Sequence, residues 1–90
     1  MTIVVNSSWG GFKLPTHLAE QFNCELYAHT TAIRTSPTLI EWVKANPTAT
    51  KLRTAEIPES ATDWEVAEYD GYEHIIAVID GKLKHIHAEW

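Results

Sequence analysis

Trp64-Glu65-Val66-Ala67-Glu68-Tyr69, Asp70-Gly71, Tyr72-Glu73-His74-Ile75-Ile76-Ala77-Val78-Ile79, Asp80-Gly81 and the run Lys82 to Trp90 follow one another in the chain. An Asp-Gly pair between β-rich runs is a strong signal for a two-residue hairpin loop, so this third of the sequence predicts a three-stranded antiparallel meander. Two-residue loops also fix the pairing register. Trp64, Val66, Ile75, Ala77, Ile79, Ile86, Ala88 and Trp90 then share one face, the expected core, with helices packed on it. Glu65, Tyr69, Tyr72, His74, Ile76, Val78, Leu83, His85 and His87 share the other. That mixed face reads as an oligomer contact, part of a binding wall or an ordinary solvated surface. Glu68 and Glu73 should face each other across the first hairpin, a repulsive pair that calls for a nearby cation or solvent.

Working back from the meander, Leu52 to Ile57 reads as a strand ended by Pro58. Ser36-Pro37 supplies a cap and a first-turn proline for a helix with Leu39, Ile40 and Val43 as its apolar stripe, stopped by Asn46-Pro47. Cys24 to His29 reads as a strand. Pro15 starts a helix in which Leu14, Leu18 and Phe22 recur at helical spacing until Asn23. The β-branched run Thr2 to Val5 has the composition of a buried strand. The sequence therefore predicts one α+β domain over residues 1–90, mostly antiparallel sheet with two short helices.

Ninety residues leave a thin core, and a chain of this size buries only roughly 60–65% of its unfolded surface. Cys24 is the one cysteine, so no internal disulfide helps, and a lone thiol fits a reducing compartment. Four tryptophans, three tyrosines and two phenylalanines in so short a chain either fill a thin core or sit in interfaces or pockets. A homo-oligomer, from dimer to hexamer, is expected. The net charge of −5 argues against a polymeric nucleic-acid partner. Met1 to Asn6 lacks the basic start and long apolar run of a signal peptide, and Ile75 to Ile79 is too short to span a bilayer. A soluble, cytoplasmic protein without membrane partner is expected.

Three constellations bear on chemistry. His74, His85 and His87 fall on one face, and three imidazoles are the ligand set of many catalytic zinc ions. A metal-dependent hydrolase is thus one alternative, although no carboxylate is placed as a second shell, and neither metal nor cofactor is the primary expectation. Cys24 has no activating cation beside it and reads as a small buried hydrophobe, so no catalytic residue is assigned. The loop Asn6-Ser7-Ser8-Trp9-Gly10-Gly11-Phe12 between a strand and a helix is a structural turn or a cradle for phosphate oxygens, with Trp9 or Phe12 stacking on a base. It lacks the Gly-Lys-Ser/Thr ending of a P-loop. The cations available to balance phosphate are Arg34, beside Thr35-Ser36-Pro37, together with Arg53, Lys51 and Lys13.

Ile3-Val4-Val5-Asn6 with Gly10-Gly11-Phe12-x-Leu14, Arg34-Thr35-Ser36-Pro37-x-Leu39-Ile40, Leu52-Arg53-x-Ala55-Glu56-Ile57-Pro58 and Asp63-Trp64-Glu65-Val66-x-Glu68-Tyr69-Asp70-Gly71-x-Glu73 together resemble a family of small phage-encoded proteins. That family includes or adjoins viral sponges that counter CBASS or Thoeris defence. The resemblance implies sequestration, without cleavage, of a cyclic di- or trinucleotide or a cyclic ADP-ribose isomer in an infected bacterial cell. With such a ligand, the glycine loop and the nearby cations make Asn6, Ser7, Ser8, Trp9, Gly10, Gly11, Phe12, Arg34, Thr35 and Arg53 the candidate ligand-binding residues. The chain departs from longer relatives in lacking a central insertion. It ends His87-Ala88-Glu89-Trp90 where relatives carry a His-Arg-x-Trp-like signature; if that arginine touches the messenger in relatives, this chain lacks the contact and a different ligand is expected. The remaining alternative is a protein–protein inhibitor that blocks a host enzyme through the aromatic face.

Overall fold

A computed structural model of the chain describes residues 1–8 and 10–88. The β-branched start forms β1 (Thr2–Asn6), paired antiparallel with β2 (Leu52–Glu56) in a register running from Thr2↔Glu56 to Asn6↔Leu52. Three short helices lie between them in sequence: α1 (Thr16–Phe22), α2 (Thr31–Arg34) and α3 (Pro37–Ala45). The chain then forms β3 (Ala61–Tyr69), β4 (Tyr72–Ile79) and β5 (Lys82–Ile86), an antiparallel sheet in the order β3-β4-β5. The expected α+β class and C-terminal meander are what the chain adopts. Among the described residues no helix is long and apolar enough to cross a membrane.

The meander follows the Asp-Gly reading. Asp70 and Gly71 have φ of 49° and 86°, and Asp80 and Gly81 have 53° and 75°, the left-handed pairs of type I′ turns whose twist matches the strands. The register pairs Trp64 with Ala77, Val66 with Ile75 and Ile75 with Ile86, and a shift between Ala61 and Asp63 bends the start of β3. Ile75 and Ala77 are fully buried, with Trp64, Val66, Ile79, Ile86 and Ala88 packed around them. The placing of Trp90 on this face lies outside the described residues.

The helices do not rest directly on that face, because the β1–β2 ribbon lies between. Ile3, Val5, Ala55 and Ile57 pack against the meander, whereas Val4 and Leu52 point the other way, against Phe12, Leu14, Leu18, Ala19, Leu39 and Val43. Strand β1 is thus buried on both sides, and this is why its sequence is continuously apolar rather than alternating. Each fully buried Ile or Val contributes about 1.5–3 kcal/mol relative to exposure.

Helix α1 ends where expected, at Asn23 in the left-handed cap conformation with φ 54°. Helix α3 starts at Pro37 and stops at Asn46, whose side-chain amide donates to Trp42 O, but Ser36 makes no side-chain cap bond. The strand expected over Cys24 to His29 is absent. Side chains there do alternate between half-buried and exposed, but the backbone closes locally, with Ala28 N–H donating to Glu25 O and Leu26 O accepting from Leu14 N–H. Alternation records which side faces the core, whereas a strand also needs a neighbouring ladder. Helix α2, which periodicity did not signal, is one turn capped by the Thr30 hydroxyl.

One buried ion pair ties the layers together. Arg34, at the end of α2, is 3% exposed, and Glu73, on the core side of β4, is 7% exposed. The guanidinium grips the carboxylate with two parallel bonds, Nη1 to Oε1 at 2.9 Å and Nη2 to Oε2 at 2.7 Å. Nη1 also donates to Val4 O and Nε to His29 O, while Glu73 Oε1 accepts from Asn6 N–H at 2.8 Å. The Phe12 ring lies 4.5 Å from the Arg34 guanidinium carbon, a cation–π contact. Arg34 is thus the cation beside Glu73, while Glu68 across the hairpin is exposed to solvent.

Removing one partner from such a pair leaves the other charge buried and uncompensated. Glu73→Gln and Arg34→Ala are each expected to lower unfolding free energy by about 3–5 kcal/mol, read as a drop in denaturant midpoint at unchanged slope. Arg34→Lys should recover little, because an ammonium cannot reproduce the fork. A loss below about 1 kcal/mol, the range of exposed pairs, would contradict this account.

Candidate functional site

The loop after β1 is seated on the first hairpin turn. Asn6, 1% exposed, donates its side-chain amide to Ser8 O and Gly71 O, both at 2.6 Å. Gly10 N–H donates to Asp70 O at 3.3 Å. Gly71 leaves no room for a side chain, since a Cβ there would lie 2.8 Å from Gly11 Cα and 2.9 Å from Gly10 N. Two glycine-bearing turns far apart in sequence thus meet backbone to backbone.

Beside this seat opens a cleft of about 590 Å³, bounded by the glycine loop and the start of α1 on one side and by residues 47–53 on the other. That volume suits a small-molecule ligand. Among the described residues, Lys13, Lys51 and Arg53 line it, no carboxylate does, and Trp42 contributes a flat wall. Ser7 anchors the rim, since both its N–H and its hydroxyl donate to Lys51 O. The Arg53 guanidinium braces the facing loop, donating to Pro47 O, Thr50 O and Leu52 O at 2.7–2.9 Å. His17 meets the Trp42 ring edge-on, with centroids 5.7 Å apart. In a chain of net charge −5, a concavity lined by three cations is a local reversal of sign.

Of the residues read from sequence as ligand-binding, Asn6, Gly10, Gly11 and Arg53 line this cleft. Phe12 and Arg34 do not. They border a smaller cavity of about 330 Å³ that Gly11 also touches, together with Glu68 and Glu73. The phosphate-gripping role expected of Arg34 is corrected by the fold, because its guanidinium is held by Glu73, Val4 and His29 in the interior. Phe12 is likewise core, beneath that guanidinium. Ser7, Ser8 and Thr35 line neither cavity, and the Thr35 hydroxyl donates to Thr31 O. Trp9 lies outside the described residues. Trp42 and the 47–50 turn were not signalled as site residues, because Trp42 reads as helix flank and Pro47-Thr48-Ala49-Thr50 as a connector.

On the outer face of the meander, His74 stacks on both His85 and His87, with centroids 5.1 and 5.2 Å apart. Nε2 of His74 lies 3.0 Å from Nδ1 of His85. Desolvation, then the neighbouring charges of His85 and His87, hold the His74 pKa below its usual value. The imidazoles do gather as the register predicts, but as a stack. Among the described residues no group of three or more His, Cys, Asp or Glu is arranged to hold a metal ion. Cys24 is a half-buried free thiol.

No protein-family model matches the chain, and no curated protein or solved structure is similar to it at a significant level.

The seating of one turn on the other makes the two hairpin glycines unequal. Gly81→Ala, with open space around the added methyl, should cost only the left-handed penalty of about 1–2 kcal/mol. Gly71→Ala must also push the Gly10–Gly11 loop away, so thermal denaturation should show a clearly larger loss. Equal losses would mean that the loop and hairpin are not in contact.

Proposed function

We propose that this chain binds a small phosphorylated ligand in the cleft formed by Gly10, Gly11, Lys13, Trp42, Lys51 and Arg53, and holds it without cleaving it. The observation that carries this reading is the gathering, among the described residues, of three cations and no carboxylate around one ligand-sized hollow in an acidic protein. Lys13 and Lys51 are exposed at the rim, where each ammonium can meet a phosphate oxygen. Trp42 offers a ring face for a base. The ligand class is the cyclic nucleotide messenger that the sequence resemblance implies, either a cyclic di- or trinucleotide or a cyclic ADP-ribose isomer. The protein would then be a viral anti-defence sponge in the host cytoplasm, working as a homo-oligomer. Sequestration works by mass action and requires only affinity and excess protein.

A second reading rests on the outer meander face, where Tyr69 is 72% and Leu83 67% exposed. Such side chains anchor protein partners, and this face would block a host enzyme.

The first reading is tested by incubating the protein with 3′3′-cyclic GMP-AMP or glycocyclic ADP-ribose, removing free ligand and heating to release what is bound. Recovery of intact messenger is expected. Linearised product would make the protein an enzyme, and no retention, together with co-purification of a single host protein, would favour the second reading. The double variant Lys13→Ala/Lys51→Ala should bind at least roughly tenfold more weakly, since a hydrogen bond to a charged group is worth about 1.5–3 kcal/mol. Its melting temperature should be unchanged, because both side chains are at the surface. Affinity should also fall as salt is raised.

A further inference from the structure

We propose that His74 and His85 form a two-imidazole chelate for a divalent transition ion of the copper–nickel class on the outer face of the meander. The β4–β5 register pairs Ile75 with Ile86 and Ile76 with His85, so the two histidines sit diagonally on the same face. Their facing nitrogens, His74 Nε2 and His85 Nδ1, are 3.0 Å apart. Two nitrogens bonded at about 2.1 Å to one ion and set at right angles are separated by about 3 Å. The backbone therefore already holds the pair at the spacing of adjacent ligands in a tetragonal site.

At present one of these nitrogens donates its proton to the lone pair of the other. An ion takes the place of that shared proton once the donor ring carries its hydrogen on its far nitrogen instead, giving two neutral rings with both lone pairs inward. The exchange of tautomers neither releases nor consumes a net proton. His85 is exposed, and the helices pack on the opposite side of the molecule, beyond the ribbon, so the ring can turn to aim its lone pair. Since no set of three ligands converges among the described residues, the remaining coordination positions belong to water. Imidazole with open, water-filled positions suits copper(II) or nickel(II) better than the closed four-ligand shell of structural zinc. His87, whose ring stacks on His74 with centroids 5.2 Å apart, supports the ring without being a ligand.

The test is a titration of the folded protein with copper(II), followed by calorimetry and electron paramagnetic resonance. One ion per chain and a tetragonal spectrum with two nitrogen couplings are expected. His74→Gln and His85→Gln should each weaken binding by roughly 100-fold or more, the gain that linking two ligands provides. His87→Gln should bind like the parent. Circular dichroism confirms folding, and the exposed His85 makes its variant the safer of the two. Parent-like binding by the His74 and His85 variants would place the ion away from the His74–His85 pair and overturn the proposal, as would failure of the parent protein to bind.

Discussion

The fold depends on the burial of Arg34 against Glu73. Taking both charges out of water costs several kcal/mol per ion, and the fork geometry recovers it only because the remaining donors and acceptors are also matched. Here Val4, His29 and Asn6 supply those matches from the backbone. The pair therefore requires α2, β1 and β4 to be in place together, and it joins the helical layer to the meander through the ribbon between them. Among the described residues no buried side-chain nitrogen or oxygen lacks a partner, so the polar centre of this thin core is fully connected.

That centre explains why some site assignments were readable from sequence and others were not. The hairpins, their register and the inward-facing residues follow from period-two patterning and two Asp-Gly turns, which are local signals. The same register put Glu73 opposite Glu68 and so called for a cation or solvent, but nothing local says that Arg34 meets Glu73 from 39 positions away. An arginine beside a helix cap looks the same in sequence whether it faces solvent or the interior. Helix α2 is one turn, too short for periodicity to register, and Cys24 to His29 alternates without a strand beside it. The glycine loop reads correctly as a tight turn. Its contact with the Asp70-Gly71 hairpin depends on tertiary docking, and the cleft depends on loops 10–16 and 47–53 meeting across the end of the ribbon.

The seven basic residues divide into groups with separate work. Arg34 is in the core and Lys44 lies in the last turn of α3, where a cation complements the helix dipole. Lys13, Lys51 and Arg53 meet at the cleft, while Lys82 and Lys84 lie on β5. With few cations in an acidic chain, concentrating three of them in one concavity produces a focused field that a uniformly mixed surface lacks.

Lys82 and Lys84 have a consequence of their own. Strand β5 ends its sheet, and its lysines stand opposite Ile79 and Ala77 on the inward side of the pleat. A second molecule adding itself along that border would bring ammonium groups of both copies together, a repulsion that discourages open-ended polymerisation into fibres.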